Sequence, residues 1–205
     1  MENLSFEHYF VEKPRSKLKL YKLECVLRNK KFTFLTSSGV FSPRRIDKGT
    51  RILVENMILP TSGKILDLGC GYGVIGIVAA KLCRNCEVYL TDINERALWL
   101  ARRNIKINKV RNAKVIKSDG FSSLKGMKFD CIITNPPISA GLKLCYRLIE
   151  ESRDFLRPSG ILEIVARPKK GGKRLMERML EVFGNCTTIA KKSGYRVYLS
   201  KKRKK

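Results

Sequence analysis

Four polar clusters in this sequence sit where short apolar runs stop, and their residue types suit chemistry on a small ligand. The first, Thr134-Asn135-Pro136-Pro137-Ile138, follows the apolar run Phe129 to Thr134. Two prolines hold the backbone extended and stiff, so the Asn135 side-chain carbonyl and the Pro136 backbone carbonyl can point at one spot. Two acceptors converging on a planar amino group take both of its hydrogens and turn the nitrogen lone pair towards an electrophile. No strong base is needed, because the proton becomes acidic only as the nitrogen acquires positive charge. The second cluster, Lys64-Ile65-Leu66-Asp67-Leu68-Gly69-Cys70-Gly71-Tyr72-Gly73, ends an apolar strand in a carboxylate and then places glycine at alternate positions, baring backbone for a ligand that must come close. The third is Asp92 with Ile93, about twenty residues past the glycine turn, where a carboxylate can accept from a ribose diol. The fourth, Ser118-Asp119-Gly120-Phe121, offers Asp119 to an adenine amino group and Phe121 to the face of the ring. Each acid alone also reads as a helix cap. Three at successive strand ends describe a ligand made of an amino acid head, a ribose and an adenine.

These clusters need a sheet to hold them. Lys64 to Asp67, Glu87 to Thr91, Ala113 to Lys117, Phe129 to Thr134 and Gly160 to Ala166 read as strands; Val74 to Leu82, Asn94 to Asn108, Leu142 to Leu156 and Lys173 to Phe183 read as the intervening helices. Such alternation predicts a mostly parallel α/β sheet covered on both faces, with ligands at the carboxyl ends of its strands. Cys186 to Ala190 and Arg196 to Ser200 form an antiparallel pair at one edge. Ahead of the sheet, Leu20 to Leu27 and Phe32 to Thr36 read as a hairpin, and Asp47 caps a short helix from Lys48 to Asn56. The predicted organisation is a basic arm and hairpin over residues 1–37, a main domain over 38–200 and a basic tail over 201–205. Residues 1–20 are expected to be a loosely attached arm and the tail to be disordered when free.

The chain of 205 residues carries 43 Lys and Arg against 18 Asp and Glu, a net charge of +25 that points to a partner bearing phosphates, nucleic acid before any membrane surface. Eight basic residues and one acid between Lys13 and Lys31 suit a backbone-gripping hairpin. No apolar run spans a bilayer and no signal pattern opens the chain, so a cytoplasmic protein is expected. Seven cysteines at irregular spacing argue against a secreted disulfide framework. Cys83-Arg84-Asn85-Cys86 has no second pair, and His8 is the sole histidine, so the favoured reading is two unconnected residues and no metal site. A dinucleotide oxidoreductase is disfavoured, since Val74 stands where a third fingerprint glycine belongs and no hydride-transfer acid is evident.

Asp67 to Gly73, Asp92, Asp119 and Asn135-Pro136-Pro137-Ile138 together resemble the class I S-adenosylmethionine-dependent methyltransferases that act on planar or exocyclic nitrogen. Gly39-Val40-Phe41-Ser42 with Ile46-Asp47-x-Gly49-Thr50 narrows the resemblance to the "methyltransferase small" domain of ribosomal RNA guanine-N2 methyltransferases of the RsmC type and their single-domain archaeal relatives. It spans about Phe34 to Leu199. It implies a Rossmann-like seven-stranded sheet with a reversed last strand, S-adenosyl-L-methionine as cofactor, and an RNA substrate, either ribosomal RNA or an assembling small subunit, with a monomer favoured. Carried over by position, Asp67, Gly69 and Gly71 border the methionine part, Asp92 and Ile93 the ribose, Asp119 and Gly120 the adenine, and Asn135, Pro136 and Pro137 hold the target nitrogen. Many relatives have an aromatic residue where this chain has Ile138, which leaves Phe41 or Tyr146 to stack on the base and disfavours protein-glutamine methylation. The alternatives are methylation of adenine N6 or of transfer RNA, cytosine-C5 methylation with Cys131 as nucleophile, and an idle RNA-binding or assembly protein with this fold.

Overall fold

The computed structural model describes residues 12–204 except residue 15. Its centre is a seven-stranded sheet in the order β5-β4-β3-β6-β7-β9-β8, built from β3 (Gly63–Leu68), β4 (Cys86–Asp92), β5 (Ala113–Lys117), β6 (Phe129–Thr134), β7 (Leu156–Ala166), β8 (Thr187–Lys192) and β9 (Tyr195–Lys201). The first five are parallel, and β9 runs against both of its neighbours, β7 and β8. The reversed strand is therefore inserted beside β7 and leaves β8 at the edge. Among the described residues five α-helices accompany the sheet: α1 (Lys48–Asn56), α2 (Val74–Leu82), α3 (Glu95–Ile107), α4 (Leu142–Phe155) and α5 (Gly172–Phe183).

The central strands are buried on both faces, which is why they read as continuous apolar runs. Along β3, Ile65 joins the core beneath α1, α2 and α3, while Leu66 joins the core beneath α4 and α5. Along β6, Cys131 and Ile133 face the first core and Ile132 the second. Strand order reverses between β3 and β6, so the crevice at their carboxyl ends is where this topology opens a binding site.

The N-terminal hairpin pairs β1 (Leu20–Leu27) with β2 (Lys30–Ser37) through a two-residue turn, Arg28 at φ 48° and Asn29 at φ 59°, the left-handed pair that a tight hairpin requires. It is no separate unit: Leu27, Phe32 and Phe34 are buried in the first core. Asn104 in the last turn of α3 and Asn108, which caps that helix, bond the free edge of β2 as a neighbouring strand would. Asn104 accepts from Leu35 N at 2.7 Å and donates to Leu35 O at 2.8 Å; Asn108 accepts from Thr33 N at 3.1 Å and donates to Thr33 O at 2.8 Å.

Three expectations change. Cys83 and Cys86 are joined in a disulfide, because the turn between the end of α2 and the start of β4 brings their Cα atoms to 5.4 Å. The described part of the arm is pinned: the Arg96 guanidinium donates to Pro14 O at 3.0 Å, Ser16 O at 2.8 Å and Ser38 O at 2.9 Å. The rest of the arm, with His8, lies outside the described residues, as does residue 205. The basic tail begins inside β9, and Lys202 bonds the backbone of Gly160, Arg153 and Leu156. Among the described residues no helix is long and apolar enough to cross a membrane, and no group of three or more His, Cys, Asp or Glu gathers to hold a metal.

Candidate active site

The carboxyl ends of β3, β4, β5 and β6 open into one cleft lined by Gly69, Gly71, Asp92, Ile93, Asp119, Gly120, Asn135, Pro136 and Pro137, with Phe41, Asp47 and Thr50 closing the near side. Its floor is the loop between β3 and α2. Gly69 and Gly71 have φ of +72° and +55°, and a Cβ at either would point into open space. Gly73, at φ +95°, starts α2 where side chains rarely fit.

The carboxylates hold this loop before they hold anything else. Asp92 Oδ2 accepts from Gly71 N at 2.8 Å and Oδ1 from Asn94 N at 2.9 Å. Burial pushes its carboxyl up, and those backbone bonds pull against the rise. Asp67 does not line the cleft. It is fully buried behind the loop, its Oδ2 accepts from Gly76 N at 2.7 Å, and burial raises its carboxyl to about 7. Its bond is structural: it fixes the start of α2 against the loop. Asn104 adds a third tie, donating to Tyr72 O at 2.9 Å. Asp119 sits on the rim, half exposed, with Arg147 Nη2 at 2.7 Å from its Oδ1. Phe121 is not beside the cleft; it is buried in the second core and stacked on Phe155 at 4.5 Å.

The opposite wall is Asn135-Pro136-Pro137. The Asn135 amide gives both hydrogens away, to Thr50 Oγ1 at 2.9 Å and Asp47 Oδ2 at 3.1 Å. That assigns the orientation of the amide and leaves the side-chain carbonyl of this cleft-lining residue outside both bonds, available as an acceptor. Pro137, at φ −77° and ψ 70°, makes an inverse γ-turn in which Ile138 N donates to Pro136 O at 2.9 Å. The Pro136 carbonyl therefore keeps one of its two lone pairs for a ligand. Ile138 packs back against Gly171 rather than over the cleft. Of the two aromatic candidates, Phe41 lines the cleft, whereas Tyr146 lies away from it beside Arg178. Cys131 is buried in the first core outside the cleft and burial holds its thiol well up, so it is no nucleophile for cytosine chemistry.

Residues 31–199 match the model of the methyltransferase small domain family. The chain belongs to that family. It is therefore a class I S-adenosylmethionine-dependent methyltransferase, and the seven-stranded sheet with a reversed strand is the fold of that class. The protein YbxB of Bacillus subtilis is 40% identical over 198 residues, covering 96% of this chain and 98% of its own length. The ribosomal RNA small subunit methyltransferase C of Haemophilus influenzae is 36% identical over 170 residues, 81% of this chain and 50% of that protein. Among solved structures, the 16S rRNA N2 G1207 methyltransferase (RsmC) of T. thermophilus, in complex with AdoMet and guanosine, aligns at a TM-score of 0.81 and 25% identity, covering 93% of this chain and 52% of that one. The chain thus spans about half the length of these two methyltransferases.

The cleft of this methyltransferase suits its cofactor on its own geometry. Bare loop backbone at Gly69 and Gly71, a carboxylate on each of two successive strand ends and the apolar wall of Ile93 match a ligand with an ammonium-bearing head, a diol and a flat purine. Bound there, the cofactor supplies a methyl group on a sulfonium, ready for in-line displacement.

The sequence motifs missed Asp47 and Thr50 as parts of the site. Asp47 reads as the cap of α1, and it is one, accepting from Thr50 N at 2.9 Å. Its second bond, to a residue 88 positions away, leaves no local trace. The nearest signal was the family-like segment Ile46-Asp47-x-Gly49-Thr50.

Proposed function

We propose that this methyltransferase acts on RNA, transferring methyl to the exocyclic N2 of guanine in small-subunit ribosomal RNA, free or assembling. The observation that carries this is the Asn135 amide, whose two hydrogens are committed to Thr50 and Asp47. With those hydrogens committed, the carbonyls of Asn135 and Pro136, both on residues that line the cleft, are the two acceptors offered to one planar amino group. When bound, the cofactor would supply the methyl group, and this wall would leave the amine lone pair free to take it, the proton then passing to water from a nitrogen made acidic. Asn135 and Pro136 align and hold the amine, and the closed geometry keeps its lone pair on the line of attack.

An RNA substrate is supported by charge around the cleft mouth. β7 is followed by Arg167, whose guanidinium lies over the Tyr195 ring at 4.5 Å, and Tyr195 in turn abuts Gly49 beside Asp47. Exposed Arg44 and Lys48 stand before and at the start of α1, Lys169 and Lys170 in the turn after β7, and Lys191 and Lys192 at the end of β8, which pairs with the strand of Tyr195. Such a rim suits a phosphate backbone, and the guanidinium plane suits a flanking base. The relatives named for ribosomal RNA methylation agree with this reading.

Mass spectrometry of ribosomal and transfer RNA nucleosides from a deletion strain tests the proposal. Loss of one N2-methylguanosine from small-subunit RNA is expected. Loss of an N6-methyladenosine instead would overturn the base assignment, and an unchanged nucleoside profile would overturn the RNA substrate.

A further inference from the structure

Asp47 holds more than a helix end. Both of its bonds, to Thr50 N at 2.9 Å and to Asn135 Nδ2 at 3.1 Å, fall on Oδ2. Among the described residues Oδ1 takes no hydrogen bond, while Asp47 lines the cleft next to Asn135. A carboxylate is an acceptor only, so beside the amine-binding wall it presents negative charge to whatever atom neighbours the target amine on the base.

The bases differ at that neighbouring atom. In guanine, N1, one of the two ring nitrogens flanking the amino-bearing carbon, carries a hydrogen. In adenine and cytosine the corresponding ring nitrogen carries a lone pair. A carboxylate there receives a hydrogen bond from guanine and meets lone-pair repulsion from the other two, a selection by repulsion as well as attraction. Resting on the RNA N2-methylation reading above, we infer that Asp47 is the specificity-determining residue: its free carboxylate oxygen reads the N1–H of guanine while Asn135 and Pro136 hold the N2 amine. Helix capping alone would not require this residue to be an acid or to line the cleft, since asparagine caps equally well.

Asparagine also supplies the test. In Asp47→Asn the amide oxygen can keep the bonds to Thr50 and Asn135, and the amide nitrogen turns a donor into the cleft. Methyl transfer would be followed by mass spectrometry on short RNAs, active with the wild-type chain, whose target guanine is kept or replaced by 2-aminopurine. That analogue retains the N2 amine and has a lone pair at N1. The wild type is expected to prefer guanine by roughly 10- to 100-fold, and Asp47→Asn to lose that preference or reverse it. Equal wild-type rates on the two bases would overturn the inference, and this arm needs no variant to fold. A folded Asp47→Asn protein that keeps the wild-type preference would overturn it as well. So would loss of activity on both bases with cofactor binding intact, since Asp47 would then act only by positioning Asn135. If the wild type methylates adenine-bearing RNA and no guanine-bearing RNA, the underlying function reading fails instead, which separates the two failures.

Discussion

The two walls of the cleft are built differently. On the cofactor side Asp67 and Asp92 are tied to backbone within a short stretch or one strand away: Asp67 to Gly76, Asp92 to Asn94 and Gly71. On the acceptor side Asn135 depends on Asp47 and Thr50, 88 and 85 residues distant in the chain. A wall made of local turns forms with its own loop. One made across the chain exists only when α1, β6 and the sheet between them are all in place. The difference teaches that binding the cofactor and aligning the substrate are separable here, and variants can pull them apart.

The largest separation should come from Asn135→Ala. It removes the acceptor that aligns the amine, and turnover is expected to fall roughly 100-fold or more while calorimetry shows the cofactor bound nearly as in the wild type. Gly71→Val strikes the other wall. Its side chain enters open cleft from a backbone at φ +55°, so cofactor affinity should drop by about tenfold or more, while turnover at saturating cofactor falls less. Thr50→Val is subtler: it deletes one of the two acceptors orienting Asn135 and keeps the α1 cap on Asp47. A loss of about 1 kcal/mol, near fivefold in turnover with unchanged cofactor affinity, is expected. Equal damage to cofactor binding in Asn135→Ala or Thr50→Val would erase the distinction between the walls.

An effect on stability rather than turnover lies outside both walls, at Glu163 in the middle of β7. It is buried, its Oε1 accepts from Ile58 N at 2.8 Å, and burial raises its carboxyl to about 8. The folded state thus holds a proton that the unfolded chain releases near its ordinary value of 4.5. The unfolded state binds fewer protons over that interval, so this group makes stability fall as pH rises from about 4.5 to 8 and level off above. In Glu163→Gln the melting temperature should lose that part of its decline, as differential scanning calorimetry across pH would show.

The same contrast explains what was legible in the sequence. Strand and helix periods placed β3 to β9 and α1 to α5 within a few residues, because strands buried on both faces and amphipathic helices write themselves as apolar runs. The loop between β3 and α2, Asp92 and Asn135-Pro136-Pro137 were legible because local backbone demands fix their residue types. Phe121 was misplaced, since nothing in its neighbourhood distinguishes a ring over a ligand from one stacked on Phe155. The Asp47 bond to Asn135, the Asn104 tie to Tyr72 and the Cys83–Cys86 link join segments through geometry that only the folded sheet supplies.

The paired asparagines at the end of α3 bear on how this domain can be handled. They satisfy one flank of β2 while β1 satisfies the other, so β2 behaves as an interior strand although it stands apart from the main sheet. The family match begins at residue 31, at the start of β2. A domain trimmed or grafted at that border would strip β1 away, uncover an open backbone edge and leave Phe34 short of cover. Because Asn104 also grips Tyr72, the cofactor loop would sense the cut. The smallest transferable unit of this methyltransferase therefore starts ahead of Leu20.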